Sequence, residues 1–118
     1  MSKDLLFYGW NKAVPGREKA AGKLFQEYLQ WLGGLQQAGT IDSFESVLLT
    51  AHGGDLNGFV LIRGDIVKLD EVRRTDEFNR FITLAGHILE GGGLVSGATG
   101  AGVMEWMARW TSLLEEVD

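Results

Sequence analysis

Apolar residues along the chain fall into two rhythms, alternating runs and three- and four-residue spacings, and their order predicts a sequence of elements. Residues 5–10 form a short run rich in aromatic side chains and predict a first strand. Residues 11–15 read as a loop, and Pro15-Gly16-Arg17-Glu18 as a helix entry with the Glu18 carboxylate at the positive end of the dipole. Ala21, Leu24, Phe25, Tyr28, Leu32 and Leu35 then mark one face of a long helix, widened by Leu29 and Trp31 and ending before Gly39. Residues 40–51, with Ile41, Val47, Leu48 and Leu49, predict a second strand; 52–58 a turn; and 59–63 a third strand closing a hairpin. Asp65 is placed to cap a short helical turn holding Ile66, Leu69 and Val72. Thr75-Asp76-Glu77 opens a second main helix with Phe78, Phe81, Ile82, Ala85, Ile88 and Leu89 on its apolar face, and Gly91-Gly92-Gly93 ends it. Residues 94–99 are a weak fourth strand interrupted by Gly97. A last helix over about 102–117 carries Val103, Trp106, Met107, Trp110, Leu113 and Leu114 on one stripe.

The order is βαββαβ plus a terminal helix, without internal repeat or linker. It predicts one α+β domain over residues 1–118, a four-stranded antiparallel sheet of the split-βαβ, ferredoxin-like kind. A sheet wet on one face should alternate apolar and polar residues. These strands do not: Leu5 and Phe7 oppose Leu6, Tyr8 and Trp10, Phe59 and Leu61 oppose Val60 and Ile62, and Val47 and Leu49 oppose Leu48. Two helices cover only one face of such a sheet. Each large apolar side chain left open on the other forgoes roughly 1.5–3 kcal/mol, and together they make a patch that soluble monomers rarely tolerate. The terminal helix, a second copy of the chain or an apolar ligand could cover it. A homodimer, combined with a pocket, is the expectation.

Composition narrows the partners. The 45% apolar and 23% charged fractions are those of a globular chain, and a net charge of -5 with one adjacent basic pair, Arg73-Arg74, argues against nucleic acid or an anionic membrane surface. Without cysteine there are no disulfides and no thiolate chemistry. The apolar run after Met1 to Lys3 is too short for a signal-peptide core or a membrane span, which gives a cytoplasmic expectation. The 17 glycines, set between periodic segments, are read as turn markers.

With its βαββαβ order, Pro-Gly-Arg-Glu helix entry and doubly apolar strands, the chain resembles the dimeric α+β-barrel superfamily. That group includes antibiotic-biosynthesis monooxygenases, stress-responsive barrel proteins and YCII-related domains. The stretch from His52-Gly53-Gly54-Asp55-Leu56-Asn57-Gly58 through Phe59-Val60-Leu61-Ile62-Arg63-Gly64-Asp65 is similar to a signature of uncharacterised bacterial members. The resemblance implies two sheets facing each other across a two-fold axis, with a cavity between sheet and helices in each subunit. It implies no particular activity, and no catalytic set of these relatives maps onto this chain.

The candidate ligand-binding residues are Tyr8, Trp10, Asn11, His52 and Arg63. Tyr8, Trp10 and Asn11 end the first strand, where a pocket mouth fits; ordinary packing is the plainer reading of the two rings. His52 could serve as a base or ligand, or simply hydrogen-bond its own turn. Arg63 shares strand parity with Phe59 and Leu61 and could pair with an anionic ligand or reach solvent. His87 lies opposite the apolar helix face and should meet water. Two histidines in separate elements make a poor metal site. The glycines of 97–102 lack the Walker lysine and dinucleotide spacing, and Gly58-Phe59-Val60 is only a fragment of an RNA-recognition motif. The resulting expectation is a small-molecule-binding homodimer needing no metal or organic cofactor. A cofactor-independent oxygenase or isomerase using His52 or Arg63, and a purely structural assembly protein, are the alternatives.

Overall fold

The computed structural model describes residues 4–117, so Met1 to Lys3 and Asp118 lie outside the described residues. The chain runs β1 (Asp4–Trp10), β2 (Lys12–Ala13), α1 (Glu18–Gln37), β3 (Ser43–Leu48), β4 (Gly58–Gly64), α2 (Ile66–Arg73), α3 (Asp76–Ile88), β5 (Leu89–Glu90), β6 (Gly93–Ala98) and α4 (Ala101–Leu114). The main sheet has the order β3-β4-β1-β6 with every pair antiparallel. β1 and β3 are therefore separated by β4, the split arrangement that the element order predicted. The helix signals act where they were read. Asp65 accepts from the amides of Val67 and Lys68, Thr75 accepts from that of Phe78, and Gly39 takes φ +77° just past α1. Contacts of Arg17 with the His87 carbonyl (2.6 Å) and of Arg80 with Glu27 (3.5 Å) show α1 and α3 lying antiparallel.

Three expectations change. The second strand spans Ser43–Leu48, not 40–51, because the amides of Thr40 and Ile41 turn back to the Leu35 carbonyl (2.9 and 3.4 Å) and close off α1. Ile41 enters the core from that turn, not from a strand. The segment read as loop holds β2, which pairs with β5 and ties the entry of α1 to the exit of α3. Finally, Gly22, Gly33, Gly34 and Gly86 sit inside helices, where each costs about 1 kcal/mol against alanine. A Cβ on any of the four would meet open space, so close packing does not require them.

Both faces of the sheet are apolar, as the strand patterns indicated. Leu6, Tyr8, Val60 and Ile62 point into the core under α1 and α3. On the opposite face stand Leu5, Phe7, Val47, Phe59 and Leu61, all half-buried, beside an exposed Val95. Phe7 and Phe59 stack with ring centroids 5.1 Å apart on this open side. The terminal helix does not roof it: Val103, Met107, Trp110 and Leu114 of α4 are themselves 41–59% exposed. No helix among the described residues is long and apolar enough to cross a membrane.

Candidate functional site

A cavity of about 220 Å³ opens between the sheet, α1 and α3. Its sheet wall comes from Tyr8, Trp10 and Leu48, and its helical wall from residues such as Ala21, Gly22, Phe25, Tyr28, Phe81 and Ala85. The small residues create the space and the aromatic ones shape it. Exposed Gly22 and Leu48 mark where it meets solvent. Gly22 accepts a helix-propensity penalty without a packing reason, which is the kind of local inconsistency expected beside a site.

Trp10 is held in place by what its neighbours lack or supply. Its cross-strand partner is Gly58, where a Cβ would come within 2.6–2.9 Å of the indole, so only glycine lets the ring lie flat on β4. Phe25 meets the indole edge-on at 5.8 Å and Tyr8 lies at 6.4 Å. Asn57 pins the strand end: its amide donates to the Trp10 carbonyl (2.9 Å) and its side chain to Asn11 Oδ1 (2.6 Å). Its carbonyl accepts from Leu49 and joins the end of β3 to the same junction.

Two phenols carry the hydroxyl groups of the cavity wall. Tyr28 is 8% exposed, packed against Trp31, Phe78 and Phe81, and its hydroxyl is buried without a hydrogen-bond partner among the described residues. Burial pushes its pKa well above the ordinary phenol value, and the neighbouring Tyr8 phenol adds to the rise. Burial also raises Tyr8, whose hydroxyl sits where a Cβ on Gly92 would overlap it. These are the only tyrosines in the chain. A raised folded-state pKa means their stabilisation is complete below the unfolded value of about 10 and is lost as the pH climbs through the folded values. Phenolate absorbance should therefore stay low as the pH passes about 10 and rise together with loss of near-ultraviolet circular dichroism. A titration step in the ordinary phenol range with the fold intact would contradict this placement.

Of the residues singled out in the sequence, the structure brings Tyr8, Trp10 and Asn11 together at this end of β1. His52 stands apart in an exposed turn, with Nδ1 2.9 Å from the Thr50 carbonyl. Arg63 faces the open side of the sheet, opposite Leu5 and Ser43. Neither lines the cavity. His87 is exposed at the end of α3. Sequence reasoning overlooked Asn57 and Gly22. Asn57 was hidden among turn residues, whereas Gly22 carried a signal, a glycine within an otherwise apolar helix face. Among the described residues, no group of three or more histidines and carboxylates is placed to hold a metal ion.

The fold defines a class: an α+β protein of ferredoxin-like topology. Solved structures agree. The chain is similar to a dimeric protein of unknown function with a ferredoxin-like fold from Bacteroides fragilis, with a TM-score of 0.60 at 13% identity over 82% of this chain and 96% of that one. It is similar to an EthD-family protein from Bacillus halodurans (TM-score 0.59, 14% identity, 83% and 99% covered). An antibiotic biosynthesis monooxygenase gives a TM-score of 0.54 at 17% identity, with 82% and 98% covered. At these identities the likeness is one of fold, and it is the fold that the sequence resemblance implied. No protein-family model and no curated protein matches the chain.

Proposed function

We propose that the protein works as a homodimer in which each subunit holds a small, apolar or amphipathic molecule between the sheet and helices α1 and α3. The observation that carries the ligand reading is the cavity itself: about 220 Å³, walled by aromatic and small apolar side chains, with phenol hydroxyls among its few polar groups. Sites for small molecules have this character, concave and mostly apolar with few polar groups. Tyr8, Trp10 and Asn11 belong to it; His52 and Arg63 have no part in the cavity.

The homodimer rests on the uncovered sheet face and the bare stripe of α4. A second copy supplies the same apolar surface, and a two-fold axis lets one patch meet itself. The dimeric state of the Bacteroides fragilis protein with this fold supports the same reading. Light scattering should return twice the 13.0 kDa chain mass. A clean monomer at micromolar concentration would remove the dimer. For the cavity, toluene in saturated buffer should shift the amide resonances of Gly22 and Ala85 in a ¹⁵N-labelled sample. No shift there, or shifts confined to the outer sheet face, would remove the binding site.

A further inference from the structure

The cavity contains an unsatisfied donor. Tyr28 lines it, is more than nine-tenths buried, and its hydroxyl has no partner among the described residues. A buried hydroxyl left unpaired in a folded protein is uncommon and calls for a missing partner. Water is a poor one here, because a buried water needs two to four polar contacts and this wall is almost wholly hydrocarbon. A ligand with one acceptor atom fits better, since it needs only the one bond. Its charge is constrained as well. None of the lining residues is a carboxylate, lysine, arginine or histidine, so an ion would lose its hydration and gain no counter-charge. Its size is set by the space: a dry apolar cavity of about 150 Å³ accepts benzene, so this larger one takes about ten non-hydrogen atoms.

We infer that the cavity selects an uncharged, largely hydrocarbon molecule of about ten non-hydrogen atoms whose single carbonyl-type oxygen accepts the hydrogen bond offered by the Tyr28 hydroxyl. Trp10, Phe25 and Phe81 supply flat walls for its body. The inference rests on the ligand-binding reading of the cavity and adds to it the orientation and the polar requirement.

The test compares two probes of nearly equal shape, the ketone 1-indanone and the hydrocarbon indane, titrated into the full chain and followed through the Gly22 and Ala85 amides. The ketone should bind about tenfold more tightly, the worth of one buried hydrogen bond. In Tyr28→Phe that preference should vanish, with indane binding unchanged. Equal binding of both probes by the unaltered protein overturns the hydrogen-bond assignment and leaves the cavity reading standing. That assignment falls equally if Tyr28→Phe keeps the ketone preference. Binding of toluene but of neither indane nor 1-indanone overturns the size assignment, and failure of all three removes the cavity reading as well. The comparison on the unaltered protein is decisive even if Tyr28→Phe does not fold.

Discussion

Phe59→Lys leaves the subunit folded and separates the pair into 13.0 kDa chains. Phe59 lies on the face of β4 that points away from α1 and α3, stacked on Phe7. On an isolated subunit a lysine there extends into water and disturbs nothing beneath the sheet, where Val60 and Ile62 hold the core. In the dimer the same ammonium is buried without a counter-charge, and the two-fold axis brings two copies to one interface. An unpaired buried ion costs several kcal/mol, so the dissociation constant should rise about a thousandfold or more. Sedimentation or light scattering reads the mass, and circular dichroism confirms the fold. An intact dimer carrying this substitution would show that the sheet face is not the contact.

Phe78→Ala should remove about 3–5 kcal/mol of stability per chain, a large share of the roughly 5–15 kcal/mol that a domain possesses. Phe78 is 1% exposed, in the first turn of α3, with Tyr28 and Trp31 ring centroids at 6.5 and 6.1 Å. Its amide also receives the Thr75 cap, so backbone and side chain are anchored at one point. Truncation leaves a void between α1 and α3 that these large rings cannot refill without leaving their rotamers. Urea denaturation at fixed protein concentration measures the loss. A change below about 1 kcal/mol would mean that the aromatic cluster collapses freely around the gap.

Much of this architecture was legible because it depends on local rules. Strand parity alone placed Leu6, Tyr8 and Trp10 on one side of β1 and Leu5 and Phe7 on the other, and the cap residues Asp65 and Thr75 set the starts of α2 and α3. What escaped the sequence was set at a distance. The pairing of Lys12 and Ala13 with Glu90 and Leu89 joins segments too short to show any periodicity. Ile41 looked like strand because it is β-branched and apolar, but its amide was taken by the Leu35 carbonyl. The cavity is a further case. Ala21, Gly22 and Ala85 are ordinary on their own helices, and only the meeting of α1 with α3 over the sheet turns three small side chains into a space. Arg63 shows the limit of parity: it fixed which side of the sheet the residue faces, without showing that the cavity lies on the other.

The absence of ionic groups from the cavity wall has a consequence for how occupancy would be governed. Ionic strength has nothing to screen there, and between mild acid and mild alkali no wall residue changes its protonation. Temperature retains its hold, since removing hydrocarbon from water carries a negative heat capacity whatever the solutes present. Such a receptor follows the free concentration of its guest and is deaf to the salt and acidity of the surrounding fluid.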